Sequence, residues 1–217
     1  MLELKDVHYC PATAGQPILN GVNLTANQGI PALVAGASGT GKTSLLEVIS
    51  GLSKAQRGTF SWKEKRVNQR QRRWICGMVF QFPERHFLGL NIAQELRLGH
   101  RRLNSVLQGE VLNMVGLSQL DLSQAPERLS GGQQRRLSLA VQLMRKPAVL
   151  LLDEPTAGLD WSVRDEVLEV LSNLAKEKVL IVVTHEPELF KGWPCQAHRL
   201  EAGQLQPINT LPSKNKP

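Results

Sequence analysis

The chain has 217 residues, 41% of them hydrophobic, and a formal net charge of +7. That length suits one compact unit, with room for lobes. No apolar run nears the roughly 18 residues of a membrane helix, and the N-terminus MLELKDVHYC carries acids where a secretion signal has its apolar centre. Three cysteines, Cys10, Cys76 and Cys195, are odd in number and far apart. They fit neither a disulfide framework nor a zinc spacing and suggest a reducing compartment.

Residues 1–35 read as strands. LELKDVHY alternates, GVNLTANQGI follows after turn residues, and PALVAG is a short apolar run of the kind buried on both faces. TSLLEVISGL reads as a helix that stops at Gly51. GTFSWKEKRV and WICGMVFQF read as strands flanking a basic run, Lys63–Arg73, with six cations and one acid. That run is either a solvated hairpin or a surface for anionic lipid or nucleic acid. No zinc, RNA-recognition or zipper pattern accompanies it, so nucleic acid is the weaker reading. From Leu88 to about Met144 the pattern is helical. AVLLLDEP and KVLIVVTHE are two more apolar strands. Between them SVRDEVLEVLSNLAKE is a helix with Val163, Val167, Val170 or Leu171, and Leu174 inward. The tail, 206–217, is expected to be disordered. There are no internal repeats. Strands alternating with helices imply an α/β sheet with right-handed crossovers, and 88–144 a separate lobe.

GASGTGKT, Gly36 to Thr43, matches G-x-x-x-x-G-K-[ST] between a buried strand and a helix. Gly36, Gly39 and Gly41 let the backbone curl so that its N–H groups face phosphate oxygens, with Ala37, Ser38 and Thr40 in the same loop and Ser44 just after it. Lys42 supplies a charge at the β- and γ-phosphates and Thr43 a hydroxyl for Mg²⁺. VLLLDEP ends an apolar strand in two carboxylates, where α/β folds bind ligands. Asp153 is placed to hold Mg²⁺; Glu154 points elsewhere and can polarise a water. His185 ends VLIVVTHE and is either structural or a contact to the γ-phosphate. Gln81 ends ICGMVFQ and is either a loop amide or a group that binds Mg²⁺ or orients water. Tyr9 lies 27 residues before Gly36 and either stacks on a base or fills a half-buried strand position. Finally, LSGGQQRRLSLAVQLM opens on Ser130, Gly131, Gly132 and Gln133 and becomes a helix with Leu137, Ala140, Val141 and Met144 on one face. A Gly-rich helix entry leaves N–H groups free and is a second anion site.

In this order the motifs closely resemble the ATP-binding cassette (ABC) family, over about residues 2–200: Tyr9, the Walker A loop GASGTGKT, the glutamine loop at Gln81, the signature LSGGQ at 129–133, Walker B VLLLDEP, the D-loop AGLD at 157–160 and the switch His185. The resemblance implies a P-loop NTPase of ABC cassette type: a mixed β core, an antiparallel β subdomain and an α-helical signature lobe, in an ATP-binding domain of residues 1–205. It implies ATP and Mg²⁺ as substrate and cofactor, with Glu154 as general base, His185 on the γ-phosphate, and Asp153, Thr43 and Gln81 serving Mg²⁺. It also implies that two cassettes pack head to tail, so that Ser130, Gly131, Gly132 and Gln133 serve the nucleotide on the other chain's P-loop, while Asp160 communicates across the dimer.

QFPERHFLGLNIAQELRLG, residues 81–99, resembles the ATPase subunits of energy-coupling-factor and cobalt-type importers of vitamins or metal ions through Gln81, Phe82, Pro83, Glu84, Ile92, Leu98 and Gly99. His86, Phe87, Gln94 and Arg97 depart from that pattern, and the chain is expected to lack the dimerisation extension usual at the C-terminus of those ATPases. The implied partners are a second ABC subunit, homo- or heterodimeric, and an integral membrane subunit that handles the small-molecule or ion substrate and docks on Phe82, Phe87 and Leu88. The implied location is cytoplasmic, peripheral on the inner face of the membrane. The alternative is a soluble ABC ATPase acting in assembly or on nucleic acid.

Overall fold

A computed structural model describes residues 1–102 and 104–211, apart from the side chain of Glu84. The first alternating segment is strand β1 (Leu2–Tyr9), paired antiparallel with β2 (Leu19–Ala26). Leu2, Leu4 and Val7 of β1 are buried, and the break in alternation falls at Asp6, which has φ 51 and interrupts the ladder as a bulge. The apolar run β3 (Ala32–Ala35) leads through the glycine loop into α1 (Lys42–Ser50). Next come β4 (Arg57–Trp62) and the two-residue β5 (Lys65–Arg66), which complete a four-stranded antiparallel sheet in the order β2-β1-β4-β5.

The basic run departs from expectation. Only its first half is a hairpin. Asn68 accepts from the backbone N–H of Gln71 (2.9 Å) and Gln71 accepts from that of Asn68 (2.8 Å), a capping box that starts helix α2 (Gln69–Ile75). Trp74 and Ile75 therefore end a helix instead of opening a strand, and β6 is confined to Cys76–Val79. The lobe that follows holds α3 (Ile92–Arg97), α4 (Ser105–Met114) and α5 (Gly131–Met144). β7 (Val149–Asp153), α6 (Trp161–Glu177) and β8 (Val179–Thr184) come next, with every residue of β7 and β8 buried.

β9 (Gln196–Glu201) and β10 (Gln204–Ile208) form a hairpin across Ala202 and Gly203, both at positive φ. The segment expected to be disordered from 206 is thus strand through Ile208; residues 212–217 lie outside the described residues. The main sheet runs β10-β9-β3-β8-β7-β6, parallel except for β10.

The period of two along β7 and β8 divides the core. Leu150, Leu152, Leu180 and Val182 face the side covered by α5, α6 and the helical lobe. Val149, Leu151, Val179, Ile181 and Val183 face α1 and the antiparallel sheet. Both faces of the central strands are covered, so ligands can reach the sheet only at the strand ends. Among the described residues no helix is long and apolar enough to cross a membrane.

Candidate active site

β3, β8, β7 and β6 are consecutive and parallel, so their carboxyl ends lie side by side. The register pairs Ala35 with Thr184, Val183 with Asp153, and Leu152 with Val79. The next residues along each strand are then neighbours in space: Gly36 of the glycine loop, His185, Glu154 and, two residues past β6, Gln81. Such an edge is where open α/β sheets bind ligands. Here it forms a cavity of about 440 Å³ lined by Lys42, Thr43, Gln81, Asp153, Glu154 and His185, with Ser38, Gly39, Gly41 and Ser44 of the loop.

Gly41 shows why the loop needs glycine. Its φ is 96, and a Cβ there would collide with Cγ2 of Ile18. Ile18 presses on the loop and also lines the cavity. Lys42, the first residue of α1, is 8% exposed. Its Nζ donates to the carbonyls of Gly36 (2.8 Å) and Ala37 (3.0 Å) and lies 3.7 Å from Glu154 Oε1. Thr40 donates to Ala37 O (3.0 Å) and tightens the loop. Gly36, Ala37 and Thr40 face a neighbouring cavity, which His185 also lines.

The two carboxylates have different surroundings. Asp153 accepts the Thr43 hydroxyl at 2.6 Å, which joins the strand end to the helix start. Burial pushes its carboxyl above the ordinary value; the Thr43 bond opposes that, and the adjacent Glu154 adds to it. Glu154 sits in the left-handed region at φ 47. This strain is held by a backbone bond from its N–H to Val183 O (2.9 Å) and by His185, whose backbone N–H (3.1 Å) and Nδ1 (2.8 Å) both meet Glu154 Oε2. With Nδ1 donating to Glu154, Nε2 is the polar ring atom left for a ligand. One carboxylate, one hydroxyl and one amide (Asp153, Thr43 and Gln81) are hard oxygen donors. They suit Mg²⁺, which takes one or two carboxylates and completes its shell with water and phosphate oxygens.

The signature segment does not join this cavity. Ser130 caps α5: its Oγ accepts from the Gln133 N–H (3.3 Å), and Gln133 Oε1 accepts from the Ser130 N–H (3.0 Å). Neither residue, nor Gly131 or Gly132, lines the P-loop cavity of its own chain. Asp160 precedes α6 as an exposed residue whose side chain makes no capping bond.

Tyr9 does not line the cavity either. Its hydroxyl donates to Ser53 (3.4 Å), and its ring packs partly buried against the core beside α1. The apolar wall at the loop is Ile18 instead. Sequence reading also missed Arg135, whose NH2 donates to Ala157 O (2.9 Å), and Arg164, which binds Glu186 at 3.2 Å beside His185. These bonds tie α5 and α6 to the loops at the strand ends. No local pattern marks Ile18; the arginines stand in plain view within helical segments, but their partners are 22 residues away in the chain.

The buried Asp153 gives a prediction about stability. A carboxyl whose folded pKa is raised is penalised once it ionises, so its cost grows as pH rises through the carboxylate range and is complete above it. Asp153→Asn removes the charge and keeps an acceptor for Thr43. Without Mg²⁺ or nucleotide, the variant should melt at a higher temperature than the wild type at neutral pH, and the gap should close as pH falls through the carboxylate range. Differential scanning calorimetry across pH measures this; a lower melting temperature at neutral pH contradicts it.

A family model described as ABC transporter matches residues 19–157. The protein "ABC transporter I family member 11, chloroplastic" of Arabidopsis thaliana is 38% identical over 218 residues, covering 93% of this chain and 78% of that one. The energy-coupling factor transporter ATP-binding protein EcfA2 of Enterococcus faecalis is 33% identical, over 92% of this chain and 75% of that one. Among solved structures, cbiO1 from Clostridium perfringens, part of the ABC transporter complex cbiONQ, superposes with a TM-score of 0.84 at 24% identity, covering 94% and 86% of the two chains. The ATP-binding cassette MJ0796, a dimer in a post-hydrolysis state bound to ADP and Pi, superposes with a TM-score of 0.78 at 26% identity, covering 95% and 97%. With the P-loop, the paired carboxylates and the signature helix in one fold, the chain belongs to the ABC transporter family, as one of its ATP-binding and ATP-hydrolysing cassettes.

Proposed function

We propose that two cassettes close head to tail on ATP and open after hydrolysis, and that this cycle drives an importer of a vitamin or metal ion through a separate membrane subunit. The observation that carries the reading is the separation of the two anion-binding elements. The N-terminus of α5, at Ser130 and Gly131, is exposed and away from the chain's own P-loop cavity. A two-fold arrangement lets each chain offer its signature segment to the other's nucleotide. ATP then bridges the chains, and loss of the γ-phosphate removes the bridge.

Within each site Lys42 and the N–H groups of Gly39 and Gly41 take the phosphates, and Ile18 gives the nucleotide an apolar wall. Asp153, Thr43 and Gln81 hold Mg²⁺, which neutralises charge on the transferring group. Glu154 orients and deprotonates the attacking water. Its hydrogen bonds with His185 fix the carboxylate, and Nε2 of that histidine is free to meet the γ-phosphate. Asp160 links the two sites across the dimer. The likeness of residues 81–99 to energy-coupling-factor ATPases, and relatives with that name, support the importer reading.

The loop after Gln81 supports docking of the membrane subunit, which would place the cassette on the inner face of the membrane. Leu88 and Leu90 are 80% and 82% exposed. The loop that carries them is anchored by the buried Glu95, which accepts the backbone N–H groups of Leu88 (2.8 Å) and Gly89 (2.7 Å). Phe87 is partly buried against the core, and Phe82 lies against Gly158 of the D-loop, so Leu88 and Leu90 are the free apolar contacts.

Two outcomes test this. Glu154→Gln keeps the shape of the site and removes the base, so the variant with ATP and Mg²⁺ should form a dimer in light scattering, while the nucleotide-free protein stays monomeric at micromolar concentration. A dimer without nucleotide, or none with it, contradicts the closing cycle. Leu88→Asp with Leu90→Asp should abolish co-purification with the membrane subunit and spare basal ATP hydrolysis. Normal assembly of that variant moves the docking surface elsewhere.

A further inference from the structure

The basic run is not used by the nucleotide site, and its structure contains an unusual group. Arg72 on α2 is only 4% exposed. Its guanidinium lies 3.7 Å from the centroid of the Phe60 ring on β4, and NH2 donates to Val48 O at 3.2 Å. Among the described residues its buried Nε has no hydrogen-bond partner. Among the described residues no carboxylate pairs with it. The nearby Cys76 thiol cannot serve as its counter-ion, since burial pushes that group up to about 12 and leaves it neutral. Burial also lowers the pKa of Arg72 itself, as expected of a cation whose charge is uncompensated. Buried charges in proteins are ordinarily paired, because desolvation without a partner is costly.

Arg72 lines a cleft of about 430 Å³ between α2 and the strands β4 and β5, separate from the nucleotide cavity. Lys54 and Arg66 stand at the same cleft, and among the described residues its lining contains no acid. The amides there are already occupied: Asn68 and Gln71 cap α2, and Gln69 donates to Gly51 O (2.8 Å). Three basic residues therefore line one concave space whose lining, among the described residues, holds no acid, and the volume is that of a small-molecule site.

We propose that this cleft binds a phosphate-bearing anion, with Arg72 as its buried counter-charge and Lys54 and Arg66 closing over it from the rim. Phosphate suits the donors: a guanidinium pairs with its oxygens by two parallel hydrogen bonds, and the rim charges neutralise the remainder. The same chemistry is offered by free phosphate and by an anionic phospholipid headgroup. Stacking of Arg72 on Phe60 leaves the edge of the guanidinium as its hydrogen-bonding side.

The test uses the full chain with its P-loop saturated by ADP and Mg²⁺, so that the nucleotide site does not report. One arm titrates inorganic phosphate and follows the Arg72 Nε–H resonance and the amides of 68–72 by NMR. The other measures flotation with phosphatidylglycerol vesicles against phosphatidylcholine vesicles. The wild type should respond in at least one arm: in the phosphate arm if the ligand is a free anion, in the vesicle arm alone if it is a headgroup. Lys54→Gln with Arg66→Gln should weaken that response about tenfold, as the loss of charge-assisted hydrogen bonds implies. Arg72→Met should abolish it and raise the melting temperature, because a buried unpaired charge is replaced by an apolar chain. ADP affinity should be unchanged in both variants. No response in either arm, or a response that both variants retain, overturns the proposal. So does a fall in melting temperature with Arg72→Met alongside intact binding, which would make Arg72 a purely structural partner of Phe60 and Val48.

Discussion

Asp153 and Glu154 are neighbouring carboxylates buried at the end of a strand whose other residues are all apolar. Two adjacent negative charges in such a place repel each other and lose their hydration, so everything around them has to compensate. Thr43 donates to one, His185 donates twice to the other, and Lys42 stands near the second. Each of these partners comes from a different strand end or from the helix after the glycine loop. The carboxylates thus tie β7, β8 and α1 together at one edge of the sheet. Glu154, in the left-handed region of the backbone, has its carboxylate bonded to His185.

What compensates the carboxylates also limits what one chain can do. Lys42 is drawn toward loop carbonyls and Glu154, and His185 is committed at Nδ1. The side of the cavity away from the strand ends has no donor from α5, although α5 begins with a glycine pair at an exposed N-terminus. On the proposed reading a second chain fills that side, which makes the nucleotide both substrate and adhesive. Arg135 and Arg164 are internal struts that connect α5 and α6 to the Ala157 and Glu186 loops.

Much of this was legible in the sequence, for a physical reason. A glycine loop between strand and helix, carboxylates closing an apolar strand and a serine before a glycine pair are all continuous in the chain, and each does its chemistry where it stands. Parallel strands then bring the ends together, so assigning GASGTGKT, VLLLDEP and VLIVVTHE to strand ends was enough to assemble Lys42, Asp153, Glu154 and His185. What escaped depends on distant partners. Ile18 reaches the loop only because β2 begins beside it. Tyr9 is turned toward Ser53, 44 residues on, by the pairing of β1. The basic run looked like a solvated hairpin because charge is usually surface; the capping box at Asn68 and the inward turn of Arg72 needed the helix to be seen. The β9–β10 hairpin was hidden because its residues are mostly polar and sit at the sheet edge.

The claim that each nucleotide site is shared between two chains can be tested by mixing. Lys42→Ala disables the P-loop and leaves the signature intact; Ser130→Arg does the reverse. Each variant alone should be nearly silent in ATP hydrolysis. Together they should regain activity, because the mixed dimer contains one complete site built from the intact half of each. Hydrolysis by Ser130→Arg alone at the wild-type rate, or no recovery on mixing, contradicts the account.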